Sequence, residues 1–371
     1  MKKKFFKNVD WILFIIPIIL TVIGIISIYS ANFSVGLDEF YKQLKWIGIA
    51  IPFYILSIWV DYLKISKFSI VGYIISIILL IAVLFMPAIN GARSWFSFGG
   101  FLFQPSELTK IFLIIFISTL IAKIQVRDKN EINKFSKLLG IGIVAAIPVA
   151  LVAMQPDYGT ALAYVFILAI ILFIAGIKKR YIAFGAVLAA FTIISLFTFI
   201  LPKYAPHALK RFETFLNPES DPRGDGYNTI QSKIAVGSGQ VFGMGIKEGT
   251  QTQLGYLYPK TTDFIFSVIS EEMGFVISGL IIILYIVMIV RIFTISKTAK
   301  DKIGSYISAG VGIVMAYHVF QNIGMTMGLL PITGIPLPFL SYGGSSTITN
   351  FILIGLVINI SGRRKRTILS N

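Results

Sequence analysis

The chain has no cysteine. That absence excludes a disulfide frame, a thiolate nucleophile and a cysteine-based metal site. Histidine is scarce as well. His207 and His318 lie far apart and neither HExxH nor CxxC occurs, so zinc catalysis has no ligand set. A hard cation held by carboxylates stays open on composition alone. Charged residues make up 13% of the chain, against roughly 25% in a soluble domain. With 56% hydrophobic residues, the composition is that of a polytopic membrane protein. Acids are fewest: 17 Asp and Glu against 33 Lys and Arg give a formal net charge of +16. Such a surplus could suit nucleic acid, but its distribution does not. Most of it falls in short loops on alternate sides of apolar runs, the positive-inside pattern, and no nucleic-acid partner is expected.

Ten apolar segments are present, at about 11–30, 44–60, 68–86, 106–122, 138–154, 159–176, 181–201, 264–290, 304–329 and 344–360. Four of them (44–60, 106–122, 138–154 and 159–176) are near the short limit of ~17–18 residues for crossing a bilayer. The expected fold is all-α, one ten-span transmembrane domain over residues 1–371. A long extracellular loop, 202–262, separates spans 7 and 8. Lys2, Lys3, Lys4, Lys7, Lys64, Lys67, the run 123–137, Lys178, Lys179, Arg180, the run 291–302 and Arg363, Arg364, Lys365 and Arg366 fall in one set of loops. The positive-inside rule makes that set cytoplasmic and places both termini inside. The opening MKKKFFK with its apolar run resembles a signal peptide. The run is longer than an ordinary h-region and lacks an A-x-A site, so it reads as a retained first span. No repeat of one half in the other is visible, which disfavours an inverted-repeat transporter.

Unusual residues gather in the outward loops. Asp263 stands where a polar segment turns into an apolar one, and Thr261 and Thr262 ahead of it can cap a helix. At ~100° per residue, Ser267, Ser270 and Gly274 fall within ~40° of Asp263 on the helical wheel. A carboxylate then heads a narrow polar stripe on a greasy helix, which is costly unless the stripe faces protein or a wet cavity. A first-turn acid favoured by the helix dipole explains Asp263 alone equally well.

In QPSELTK, residues 104–110, Pro105 suits the first helical position and Glu107 suits the first-turn dipole. Lys110, a cation near the positive end of a helix, needs an anionic partner: Glu107, or a ligand phosphate. The preceding loop 87–105, rich in Gly, Phe and Trp95, reads as a compact loop at headgroup level. Asp157 reads as the N-cap of the next span. Lys210 and Arg211, beside Phe212 and Phe215, fit a segment lying near lipid phosphates. Residues 228–236 read as a short amphipathic helix. Gly237, Gly239, Gly243 and Gly245 permit close backbone approach but match neither a P-loop nor GxGxxG. Gly343, Gly344, Ser345 and Ser346 offer amides and hydroxyls to an anion, and close helix packing accounts for them too.

Taken in order, NGARSW, QPSELTK, RFETFLNP with DPRGDGYN, TDFIFSVISEEMGF and GLLPITGIPLPFLSYGGSS resemble the blocks of the SEDS family, the shape, elongation, division and sporulation proteins. The resemblance covers essentially the whole chain. Tyr227-Asn228, Gly249-Thr250-Gln251 and the block from Met325 to Pro338 look more like the elongation branch (RodA) than the division branch (FtsW). The resemblance implies a peptidoglycan glycosyltransferase that polymerises lipid II outside the cytoplasmic membrane, in cell elongation and shape maintenance. It implies a class B penicillin-binding protein, a transpeptidase, as partner, together with elongation-machinery membrane proteins. It makes Asp263 the catalytic carboxylate and sets Glu107 and Lys110 in the polar cavity. Divalent cations, Mg or Mn, are implied as stimulants without a fixed metal site. Lys110, together with Arg211 and Lys210, is the candidate for neutralising the leaving pyrophosphate, with Ser345 and Ser346 ranked after them.

Two other functions compete on composition. A flippase for lipid II needs ten spans and buried polar groups as well, but along a path through the bilayer. Here the polar groups concentrate in 104–110, 202–263 and 331–346. A non-catalytic scaffold would need neither Asp263 nor Lys110 at a helix start.

Overall fold

Several helix starts in this chain are set by acids that take the orphan amides of a first turn. Asp10 accepts from the amide of Leu13 at 3.1 Å, Asp157 from Thr160 at 3.1 Å and Asp301 from Gly304 at 2.9 Å. The computed structural model describes residues 2–364 apart from 90, 100, 196, 197, 199–208, 210–212, 222 and 223. Its helices, in chain order, are α1 (Lys2–Asn8), α2 (Trp11–Asn32), α3 (Asp38–Trp59), α4 (Tyr62–Lys67), α5 (Ser69–Val83), α6 (Pro105–Ile124), α7 (Phe135–Ala153), α8 (Tyr158–Ile174) and α9 (Lys179–Ser195). They continue as α10 (Asp225–Ser238), α11 (Thr250–Gln253), α12 (Ile265–Thr298), α13 (Lys302–Thr326) and α14 (Gly344–Arg363). Each of the ten apolar segments carries a helix. Among the described residues, α2, α7, α12, α13 and α14 are long and apolar enough to cross a membrane by themselves; α5 and α8 are apolar but shorter.

The chain is not wholly helical. Strands β1 (Phe96–Phe98) and β2 (Phe101–Phe103) pair antiparallel, with Phe96 opposite Phe103. The headgroup-level loop expected at 87–105 is thus partly a hairpin. It feeds directly into Pro105 at the first turn of α6 and so fixes where Glu107 and Lys110 enter the bundle.

Large apolar side chains line the outside of the bundle as well as its core, and polar side chains are enclosed. Ile18, Phe53, Ile78, Val290 and Phe320 are exposed, whereas Ser27, Ser118, Asn322 and Asn359 are buried. Outer faces suited to lipid and inner faces suited to one another produce this pattern in membrane helices. α13 is central, packed against α6, α8, α10, α12 and α14. Asn359 of α14 donates to the carbonyls of Ile58 and Val60 at 2.6 and 2.7 Å and bolts α14 to the end of α3.

The long α12 is broken at Gly274, which has φ 75° and ψ −174°. Residues 240–245 fill the break. The amides of Phe275 and Val276 donate to the carbonyls of Gln240 and Val241 at 2.9 and 3.2 Å. The amides of Met244 and Gly245 donate to those of Glu271 and Glu272 at 2.9 and 3.0 Å. One loop therefore satisfies the orphan groups of both half-helices. The polar stripe expected on this helix does face protein: Ser267 bonds Ser232 of α10 at 2.7 Å and Ser270 bonds Ser278 at 3.0 Å.

Candidate active site

Asp263 does not head the helix. α12 begins at Ile265 with Phe264 as its cap residue and no side-chain cap bond, so Asp263 lies in the turn before it and neither Thr261 nor Thr262 caps. What holds the turn instead is a row of bonds to three successive carbonyls. Thr261 accepts from the amide of Tyr342 at 2.8 Å, Thr262 from the Ser341 hydroxyl at 2.6 Å, and Asp263 from the Asn322 amide at 2.9 Å. The Thr261 hydroxyl donates to Glu39 at 2.7 Å, on the first turn of α3. The Asp263 side chain is half-buried, and its Oδ2 is 3.7 Å from where a Cβ on Gly334 would stand.

Lys110 finds the partner its position demands. Its ammonium is 2.7 Å from Oε1 of Glu107 and 3.3 Å from Nε2 of His318 on α13, all three side chains buried. Oε2 of Glu107 has no hydrogen-bond partner. Around this pair, Gln104 donates to Asp157 at 3.1 Å, and the amide of Gln104 donates to Ser345 at 3.1 Å. Burial pushes the Asp157 carboxyl up, against the opposing pull of Thr160 and Lys110. The Ser345 hydroxyl also points to the carbonyl of Leu102 at 3.4 Å, and that of Ser346 donates to Gly343 at 3.1 Å. Both hydroxyls thus make bonds that order the start of α14 and its junction with α6. Lys210 and Arg211 lie outside the described residues.

The same loop, 331–343, touches both centres. α13 holds it through Gln321 to the carbonyl of Pro331 at 2.9 Å, Asn322 to Ile335 at 2.8 Å and His318 to Pro336 at 3.4 Å. Sequence reasoning overlooked Asn322, His318 and Glu39. Three polar side chains within five positions of an apolar helix, 318, 321 and 322, were the available signal.

It also overlooked Glu271 and Glu272, both buried. Glu271 accepts from the amides of Gln251 and Thr252 at 2.7 and 3.0 Å, and Glu272 accepts from Gln253 at 3.1 Å. They pin the segment 247–254 to α12. Lys260 donates to the carbonyl of Thr252 at 2.9 Å. Burial pushes its ammonium below the usual lysine range, and Glu272 and Glu39 oppose that. Among the described residues no group of three His, Asp or Glu is placed to hold a metal ion.

These features define a class: a helical membrane protein with a half-buried carboxylate and a buried ion pair, both held by one central helix. The description is met by a known family. The family model for the FtsW, RodA and SpoVE cell cycle proteins matches residues 10–366, and the chain belongs to that family. It is 36% identical to stage V sporulation protein E of Bacillus subtilis over 95% of this chain and 96% of that one. It is 37% identical to the probable peptidoglycan glycosyltransferase FtsW of Wigglesworthia glossinidia brevipalpis, over 96% and 95%. It is 36% identical to the peptidoglycan glycosyltransferase MrdB of Escherichia coli, over 98% and 97%. Identity alone does not single out the elongation branch. Among solved structures, a chain from a peptidoglycan synthase complex that coordinates polymerization and crosslinking superposes with a TM-score of 0.78 at 26% identity, covering 95% of this chain and 97% of that one.

Proposed function

We propose that the chain is a peptidoglycan glycosyltransferase that joins lipid II into glycan strands, with Asp263 as its reacting carboxylate. The observation that carries the reading is the turn 261–263, whose three carbonyls are each held by a donor, one of them Asn322 on the helix whose His318 meets Lys110. A turn so fixed presents one half-buried carboxylate in a defined place. In this reading Asp263 takes the proton from the 4-hydroxyl of the acceptor GlcNAc. The oxygen forms the new glycosidic bond, and the bond from the donor sugar to the undecaprenyl diphosphate breaks. Lys210 and Arg211 meet the leaving pyrophosphate. Lys110, enclosed and already paired, acts as a fixed positive charge that Glu107 holds in place. Ser345 and Ser346 order the backbone at the start of α14.

The topology that serves this reaction has ten spans in one domain over 1–371, both termini cytoplasmic, and the site facing outward with loop 202–262. The segregation of basic loops supports it. Tyr227-Asn228 and Gly249-Thr250-Gln251 support a role in elongation, and a class B penicillin-binding protein is the partner that would crosslink the product. The test is glycan-chain synthesis from lipid II by the purified protein, with and without such a partner, beside Asp263→Ala. Polymer from the wild type and none from the variant is expected. Transbilayer movement of lipid II in proteoliposomes without polymer would replace this reading with a flippase.

A further inference from the structure

Asn322 is wholly buried near the end of α13. Its amide nitrogen gives its two hydrogens to carbonyls from distant parts of the chain, Asp263 at 2.9 Å and Ile335 at 2.8 Å. His318 lies one turn earlier, on the same face. Its Nε2 faces the Lys110 ammonium at 3.3 Å and its Nδ1 faces the carbonyl of Pro336 at 3.4 Å. An ammonium can only donate, so Nε2 accepts and the ring hydrogen sits on Nδ1, directed at Pro336. One helix face therefore sets the height of Lys110, of loop 331–336 and of the main chain of Asp263. Packing alone asks for none of this, since an apolar side chain of the same volume would fill the space.

We infer that Asn322 is a positioning residue for glycosyl transfer: it fixes the main chain of Asp263 against loop 331–336, in register with Lys110. This rests on the reading of Asp263 as the reacting carboxylate. Asn322 touches no reacting atom and acts through Asp263. A displacement of about 1 Å in a reacting group lowers a rate by about 10²-fold.

The test uses the full-length protein and Asn322→Leu, which keeps the branched skeleton of the side chain and removes both donors. Lipid II polymerisation is followed alongside deuterium exchange at the amides of 261–266 and 331–337. Asn359→Leu serves as a control, because Asn359 also bonds buried carbonyls but joins α14 to α3 instead. Expected for Asn322→Leu are a kcat lower by about 10²-fold, a KM for lipid II unchanged within about twofold, and faster exchange in both segments together. Asn359→Leu should lower the melting temperature and leave the kcat of folded protein intact. A wild-type kcat in folded Asn322→Leu overturns the inference and leaves the Asp263 reading standing. Equal kcat losses in the two variants overturn it as well, as general destabilisation. If the wild type makes no polymer, the Asp263 reading falls and the inference with it, while the exchange data still report whether Asn322 joins the two segments. Should Asn322→Leu fail to accumulate, Asn322→Ser, smaller and still polar, is measured the same way.

Discussion

Lys110 of α6 and His318 of α13 meet at 3.3 Å inside the bundle, 208 residues apart in the chain. The contact joins the ion pair of one helix to the central helix that also holds the turn of Asp263. A cation at the start of a helix is disfavoured by the dipole. Here Glu107 and a neutral imidazole offset that, and the arrangement depends on all three.

Removal of Lys110 should therefore be severe. Lys110→Met leaves the buried Glu107 carboxylate unpaired, a loss of about 3–5 kcal/mol. Lys110→Met combined with Glu107→Leu removes both charges and should recover much of it. Thermal unfolding in detergent checks the order of the three proteins. The exposed Lys123 and Lys137 provide the contrast: alanine at either should leave unfolding and polymerisation unchanged.

Gly274 and Gly279, both in α12, should respond in opposite ways to alanine. At Gly274, φ is 75° and an added Cβ would stand 2.3 Å from the amide nitrogen of Gly243. The backbone strain alone costs about 1–3 kcal/mol, and the collision expels the loop that caps both half-helices. At Gly279 nothing lies within 4 Å, so alanine should be neutral or gain up to about 1 kcal/mol of helix propensity. Yield of folded protein and melting temperature separate the two.

Lys260 gives a pH signature. Its ammonium titrates below the usual lysine range because burial outweighs Glu272 and Glu39. Between that lowered value and the ordinary value of about 10.4, the unfolded chain binds more protons than the folded one. Stability should then rise with pH through that window. Lys260→Met should abolish the rise, as melting temperatures at a series of alkaline pH values would show. A slope unchanged in the variant would assign it to another group.

Much of the fold was legible, because apolar run length and loop punctuation are local properties. Pro105 at the first turn of α6, the Asp157 cap and the helix near 228–236 all follow from neighbouring residues. The Lys110–Glu107 pair, three positions apart, was legible for the same reason. The placement of Asp263 was not. Helical periodicity was extended two residues too far, since nothing in TTDF marks the turn that Tyr342, Ser341 and Asn322 impose from 59 or more residues away. The hairpin of β1 and β2 was signalled by Gly99-Gly100 between FSF and FLF, a turn dipeptide between short aromatic runs. Its aromatic content invited a reading as a headgroup loop. His318 and Asn322 were visible as polar residues on an apolar helix, but their partners come from three other segments.

The ion pair closes within one turn of a single helix, and that governs the order of assembly. In the ten-span topology proposed above, α6 enters the bilayer long before residue 318 has been synthesised. A lone charge near the end of an inserting helix still carries a penalty, below the roughly 2.5–3.5 kcal/mol of the helix centre. Glu107 and Lys110 can instead partition together as a neutral couple, needing only α6 to be helical. His318 then arrives at a pair already formed, and the insertion machinery never handles either charge alone.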